Sequence, residues 1–328
     1  MLYDNHGRKI DYLRLAVTDR CNLRCFYCMP HEGIDFVPRS DLLTYEELLR
    51  LCSVFSELGI RKIRITGGEP FVRKGIDSFL RELSKTPGLE ELNITTNGSF
   101  TANKIKLMEE IGVKSVNLSL DTLNRERFKE ITRRDLFDQV HKTYELLLKS
   151  SMNLKINMVV MQDRNIEDIY PMIELTKENK VSVRFIEEMP FNGTADQGNE
   201  SFWPMKKILD HIQSEYAIKK LTDPTSSTSY NYQVDGYRGS FGIIAAFTRS
   251  FCGSCNRIRL TPKGDLRTCL YGKGALNFRD LLRAGASNED IKSTLIQALG
   301  KRAKDGFEAE KNRGILNPAS ESMATIGG

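Results

Sequence analysis

YLRLAVTDRCNLRCFYC (Tyr12 to Cys28), TYEELLRLCSVFSELG (Thr44 to Gly59) and KIRITGGEP (Lys62 to Pro70) follow one another along the chain and read as strand, cysteine loop, helix and strand. The helix is the plainest of these. Thr44 and Glu47 have capping-box spacing, apolar residues recur at helical intervals, and Gly59 suits the left-handed position that ends a helix. The flanking runs are β-branched and end in polar or glycine residues, so the unit reads as β-α-β with a parallel crossover.

The same alternation continues outward. Glu91 to Asn97, Ser115 to Asp121, Lys155 to Met161 and Val183 to Met189 read as further strands, making six in all. Helical patterns lie between them at about 75–86, 102–111, 124–149 (broken near Arg134) and 165–179. Six such units predict an α/β fold, either a partial (β/α) barrel or a doubly wound sheet. In both, chemistry gathers at the C-terminal ends of the strands. Those ends read VTDRC, ITGGEP, ITTNG, LSLD, VVMQD and IEEMP, rich in the polar residues of an active-site rim.

After Met189 the composition turns loop-like, with a helical stretch from Met205 to Glu215 and a polar run LTDPTSSTSYN. A division into residues 1–215 and 216–328 follows. The second part carries short strands near Tyr230 to Val234 and Ile243 to Phe247, then RIRLT and DLRTCLY flanking the turn Pro262, Lys263 and Gly264, which predicts a hairpin.

With 328 residues, 40% apolar and 28% charged, the chain is long enough for a sizeable core and too balanced for wholesale disorder. No apolar run is long enough to span a bilayer and the N-terminus has no leader pattern, so neither membrane insertion nor export is expected and the cytoplasm is the expected compartment. Forty-eight Lys and Arg against 43 Asp and Glu leave +5, spread along the chain. That suits a local anion pocket better than a nucleic-acid stripe.

Seven cysteines without a secretory signal argue against a disulfide framework. Six fall in two trios. Cys21, Cys25 and Cys28 follow the first strand in the spacing C-x3-C-x2-C. Three thiolates on one loop can hold a four-iron cluster with one iron left open, and an amino acid's amine and carboxylate would chelate that iron. The alternative is a structural zinc completed by His31 or a distant Cys. Gly67 and Gly68 at the end of the second strand let backbone approach a ligand, with Glu69 placed to accept from its ammonium.

Cys252, Cys255 and Cys269 form the second trio, again without an obvious fourth ligand. Cys52 sits among Leu48, Leu49, Leu51 and Phe55 and reads as core. Arg257 and Arg259 share one face of their strand, as do Lys62 and Arg64, while Arg14 and Arg184 lie on the first and sixth strands. Each alone reads as solvated surface; pointed together into a barrel they need an anion, and guanidinium forks match phosphate oxygens.

The cysteine spacing, with Tyr27 before the last Cys, and the GGEP strand end resemble the radical S-adenosylmethionine superfamily. LRLAVTDRCNLRCFYCMP, RKIRITGGEPFVRKG, SLD, FIEEMP, CGSCNRIRLT and the terminal Gly-Gly narrow the likeness to its GTP-cyclising family in molybdenum cofactor biosynthesis, over essentially the whole chain. The resemblance implies an incomplete (β/α)6 TIM-like barrel with a C-terminal cap carrying a second iron-sulfur cluster. It implies two [4Fe-4S] clusters, held by the two trios, and S-adenosyl-L-methionine bound by Tyr27, Gly68, Thr95, Asn97, Ser119 and Met189. GTP contacts carry onto Arg14, Lys62, Arg64, Arg184, Arg257 and Arg259. No side chain is assigned as a catalytic acid, base or nucleophile.

The implied activity is that of a lyase. A deoxyadenosyl radical removes the ribose 3′ hydrogen of GTP, the sugar radical attacks C8, and reduction gives (8S)-3′,8-cyclo-7,8-dihydroguanosine 5′-triphosphate. The second cluster's open iron holds the guanine, and the Gly-Gly tail reaches the active site. Implied partners are a second copy in a homodimer, a flavodoxin or ferredoxin reductant, and cyclic pyranopterin monophosphate synthase as the next enzyme, with no membrane and no nucleic acid. A peptide-modifying radical enzyme is the alternative; it would be expected to carry further cysteines after Cys269, and none is present.

Overall fold

The structure is a computed structural model describing residues 1–189, 202–313 and 322–327. The expected loop at 190–201 and Gly328 of the expected tail lie outside the described residues. The six expected strands are β1 (Tyr12–Ala16), β2 (Lys62–Thr66), β3 (Glu91–Thr96), β4 (Ser115–Ser119), β5 (Asn153–Val160) and β6 (Ser182–Glu187). β7 (Ile218–Lys220), β8 (Ser229–Val234), β9 (Ser240–Ile244), β10 (Arg257–Leu260), β11 (Asp265–Arg267) and β12 (Leu276–Asn277) follow. They form one sheet in the order β12-β11-β10-β1-β2-β3-β4-β5-β6-β9-β8-β7. From β10 through β9 every pairing is parallel, and an antiparallel ribbon closes each end.

The helices are α1 (Tyr45–Leu58), α2 (Ile76–Leu83), α3 (Ile105–Glu110), α4 (Arg125–Thr132), α5 (Phe137–Leu148), α6 (Ile169–Glu178), α7 (Met205–Gln213), α8 (Phe278–Arg283), α9 (Asn288–Leu299), α10 (Gly306–Asn312) and α11 (Met323–Ile326). α1 has its full capping box, with Glu47 N donating to Thr44 Oγ1 at 3.2 Å and Thr44 N to Glu47 Oε2 at 2.7 Å, and ends at Gly59 with φ +115°. The break expected near Arg134 is real: Arg133 ends α4 at φ +54°. The strand expected to reach Phe247 stops at Ile244, because the amides of Phe247 and Thr248 turn away to the buried carboxylate of Glu187 (2.9 and 2.8 Å).

The C-terminal segment is built into the sheet. β10 lies beside β1, and α8 and α9 pack on α1: the rings of Phe278 and Phe55 meet edge to face at 5.2 Å, and Arg50 donates to the Ala286 carbonyl at 2.6 Å.

Buried parallel strands usually carry apolar residues on both faces. These alternate. Leu13, Leu15, Ile63, Ile65, Leu92, Ile94, Val116, Leu118, Ile156, Met158, Val183 and Phe185 supply the helix-covered core. The opposite face carries Arg14, Lys62, Arg64, Asn93, Thr95, Asn117, Ser119, Lys155, Asn157 and Arg184. Residues from the ends of β2, β3, β4, β5 and β6 line one cavity, which requires the sheet to curl around its polar face into an incomplete barrel.

Candidate active site

The cavity has a volume of about 210 Å³ at the C-terminal ends of the strands. Cys21, Cys25 and Cys28 line it, and so do all six expected cofactor contacts: Tyr27, Gly68, Thr95, Asn97, Ser119 and Met189. The cysteine loop is fastened from below. Arg24 N and Phe26 N donate to the Thr132 and Ile131 carbonyls at the end of α4 (2.9 and 3.2 Å), and Asn97 Nδ2 donates to Cys21 Sγ at 3.5 Å. Tyr27 donates to Asp121 Oδ2 at 2.9 Å, and burial lifts that carboxyl to about 6. From the C-terminus, Ser322 donates to the Cys28 carbonyl at 2.6 Å and Met323 lines the cavity.

Gly67 and Gly68 make this approach possible. A Cβ on Gly68 would lie 2.4 Å from the Arg20 carbonyl oxygen, and one on Gly67 would lie 2.5 Å from that of Thr18. Glu69 differs from its expected role. It is fully buried and outside the cavity lining, with its oxygens accepting from Phe71 N (3.1 Å), Thr96 Oγ1 (2.9 Å) and Asn97 N (2.7 Å). A carboxylate so engaged braces β2 against β3, turned to three protein donors outside the cavity lining. Burial raises its carboxyl to about 7 against those hydrogen bonds.

The donor set fits a soft metal cluster with a polar ligand. Burial pushes Cys21 to about 12, Cys28 to about 11 and Cys25 upward as well, so the apoprotein holds thiols that metal must deprotonate. Thr66 Oγ1, Thr95 Oγ1 and Asn157 Oδ1 are buried at the cavity without partners among the described residues, as polar atoms awaiting a ligand would be. No three His, Cys, Asp or Glu side chains among the described residues converge as a single ion would require. A cuboidal cluster makes a different demand, one thiolate on each of three irons.

Cys252 and Cys255 stand at a turn before β10, and Cys269 stands just past β11. The hairpin forms as expected, Arg259 pairing with Arg267 across it. Burial raises Cys252 and Cys269. It also acts on Cys255, but Arg302 and Arg257 outweigh it and leave that thiol below its ordinary value.

The expected anion contacts lie deeper, on the same polar face. Strand register sets Arg259, Arg14 and Arg64 side by side, and Arg257, Tyr12 and Lys62 in the row beneath. Burial and mutual repulsion lower Arg14, and burial first of all lowers Arg184 and Arg259 to about 10. Lys62 pairs with Glu91 at 2.5 Å. Arg64 donates to Tyr12 Oη (2.6 Å), the Ile94 carbonyl (3.1 Å) and Ser115 (3.2 Å), and Arg259 donates to the Gly327 carbonyl. Gly327 also fills the gap beside Thr66 at the cavity, so the tail touches both regions.

Among the lumen residues that escaped the sequence reading are Lys155 and Tyr12. Lys155 is in register with Asn117, and burial together with Arg184 and Arg64 lowers its ammonium to about 8. Tyr12 sits under Lys62 and Arg257, 5.3 and 5.4 Å from its ring; burial opposes ionisation of its phenol, but Arg64 and Arg14 prevail and bring it down to about 7. Their two-residue spacing from Asn157 and Arg14 was the available signal.

Comparisons agree with this geometry. Residues 15–176 match the radical SAM superfamily model and residues 181–307 match Molybdenum Cofactor Synthesis C. GTP 3′,8-cyclase of Clostridium perfringens is 40% identical over 94% of this chain and 95% of its own. The mitochondrial GTP 3′,8-cyclase of Arabidopsis thaliana is 39% identical over 100% of this chain and 84% of its own. The chain spans about half of longer relatives such as molybdenum cofactor biosynthesis protein 1 of Drosophila melanogaster (41% identity, 54% of that protein). Streptococcus suis SuiB superposes with a TM-score of 0.60 at 14% identity, over 94% of this chain and 68% of that one, a likeness of fold.

The cysteine loop, glycine strand end and curled parallel sheet are those of a radical SAM fold. Within that superfamily, the chain belongs to the GTP 3′,8-cyclase family of molybdenum cofactor biosynthesis.

Proposed function

We propose that this protein is a lyase that isomerises GTP to its 3′,8-cyclo-7,8-dihydro form, with S-adenosyl-L-methionine and a [4Fe-4S] cluster at Cys21, Cys25 and Cys28 and a second cluster at Cys252, Cys255 and Cys269. The observation that carries it is the row Arg259, Arg14 and Arg64, three guanidinium groups in register on neighbouring strands beneath the cysteine-lined cavity, Arg64 buried and the other two half-buried. Like charges set this close repel one another, and a multiply charged anion such as a triphosphate relieves that repulsion.

Bound there, the cluster and S-adenosyl-L-methionine supply the electron and the hydrogen-abstracting radical. The chain's own residues bind and orient. Thr95, Asn97, Ser119 and Met189 hold the cofactor, and Arg14, Lys62, Arg64, Arg184, Arg257 and Arg259 draw the triphosphate down the lumen. Gly68 lines the cofactor's cavity and lets the cysteine loop close against the end of β2, and the second trio faces the guanine. The tail at Ser322 to Gly327 helps exclude water. The division at residue 215 separates the radical-forming part from the part carrying the second cluster.

A homodimer, a flavodoxin or ferredoxin donor, the cytoplasm as compartment and handover to cyclic pyranopterin monophosphate synthase complete the proposal. Among the described residues no helix is long and apolar enough to cross a membrane. Arg257→Ala and Arg259→Ala should each weaken GTP binding at least tenfold, about 1.4 kcal/mol, while S-adenosyl-L-methionine affinity stays within twofold. Parallel loss of both ligands would refute the assignment.

A further inference from the structure

Arg302, just past α9, is only 3% exposed and uses both ends of its fork. Nη1 donates to Asp4 Oδ2 (3.1 Å) and the Cys255 carbonyl (3.0 Å), and Nη2 donates to the Arg257 carbonyl (3.0 Å) and to Cys255 Sγ (3.2 Å). Asp4 already has a cation: Arg8 Nε reaches its Oδ2 at 2.6 Å. Arg8 also donates to the Cys252, Lys304 and Ala303 carbonyls at 3.1, 2.6 and 2.9 Å. Two guanidinium groups and one carboxylate thus grip the turn that carries Cys252 and Cys255, leaving one positive charge in excess against a sulfur.

We propose that Arg302 is a positioning residue for the second iron-sulfur cluster, fixing Cys255 by an N–H···S hydrogen bond and raising the cluster's reduction potential. This rests on the reading that Cys252, Cys255 and Cys269 hold such a cluster. Reduction adds one negative charge, spread over iron and sulfur, and a buried cation hydrogen-bonded to a ligand sulfur stabilises that charge more than the oxidised form. Packing alone does not explain the residue, since an apolar side chain would fill the space without the desolvation cost of a guanidinium. The same fork fixes the Arg257 carbonyl, so it also holds the start of β10 against the cluster loop.

The test uses the full chain with Cys21, Cys25 and Cys28 changed to Ala, reconstituted anaerobically with iron and sulfide. Iron and sulfide content is measured first, then the midpoint potential by a redox titration followed by electron paramagnetic resonance. Arg302→Gln is expected to shift the potential downward, with Arg302→Lys, which keeps the charge but not the fork, falling between it and the parent. An unchanged potential in an iron-replete Gln variant overturns the proposal. If the Gln variant retains no cluster, the Lys variant decides: a downward shift supports the role and an unchanged potential overturns it. A parent that takes up no iron overturns instead the reading of a second cluster.

Discussion

The backbone amide of Asn97 donates to Glu69 Oε2 at 2.7 Å, tying the end of β3 to the end of β2 directly beside the cysteine loop. Held this way, Asn97 sends its side chain to Cys21 Sγ and, at 3.0 Å, to Asn22 Oδ1. The carboxylate is therefore a brace under the cavity, and its loss is felt through Asn97.

Glu69→Ala leaves the amides of Phe71 and Asn97 without their buried acceptor, while the Thr96 hydroxyl keeps Thr101 Oγ1 at 2.7 Å. We expect a loss of about 3–5 kcal/mol in apoprotein stability by urea unfolding, from unmet donors at roughly 1–3 kcal/mol each. A change below about 1 kcal/mol would show that the brace carries nothing.

The same group makes stability depend on pH. Its folded value, about 7, stands above the ordinary 4.5, so its contribution is fully present below about 4.5 and lost as pH rises through about 7. Glu69→Gln removes this titration. Between pH 5 and pH 8 the apoprotein should therefore lose less stability as the Gln variant than as the parent; equal losses would contradict the assignment.

Gly68→Ala places a Cβ against the Arg20 carbonyl carbon and oxygen, 2.6 and 2.4 Å away. Backbone cannot yield as a flexible side chain would, so a cost of about 3 kcal/mol is expected, together with loss of iron from the first trio. A variant with parental stability and iron content would mean the two loops need not approach.

GTP binding should take up protons at pH 8. Tyr12, at about 7, and Lys155, at about 8, titrate there in a field set by Arg14, Lys62, Arg64, Arg184, Arg257, Arg259 and Glu91. A triphosphate offsets that positive field and raises both values, so each group gains proton occupancy. Calorimetry in buffers of different ionisation enthalpy reads the uptake. Tyr12→Phe and Lys155→Met should each reduce it, and an uptake that neither changes would sink the account of the lumen.

Much of this was legible because local and tertiary signals coincide. The capping box at Thr44 and the glycine at 59 bound α1 as read, and the strand-end residues converge on one cavity. The period-2 alternation of the LRL, KIRI and RIRL runs placed their charged residues on one face of each strand, and the strand pairing makes that shared face the lumen. Glu69 was misread because its sequence neighbourhood shows nothing of Thr96 and Asn97, which reach it through strand pairing. Arg302 was invisible for the same reason: its partners, Asp4 and Cys255, are distant in sequence and meet it only through the packing of the N-terminal turn on the segment after α9.

The most direct test is anaerobic turnover of the iron-reconstituted protein with S-adenosyl-L-methionine, reductant and GTP, followed by mass spectrometry. The account predicts deoxyadenosine formed only when GTP is present, alongside a nucleotide isomeric with GTP but chromatographically distinct. Deoxyadenosine released while GTP stays unchanged would leave the radical chemistry intact and contradict GTP as the substrate.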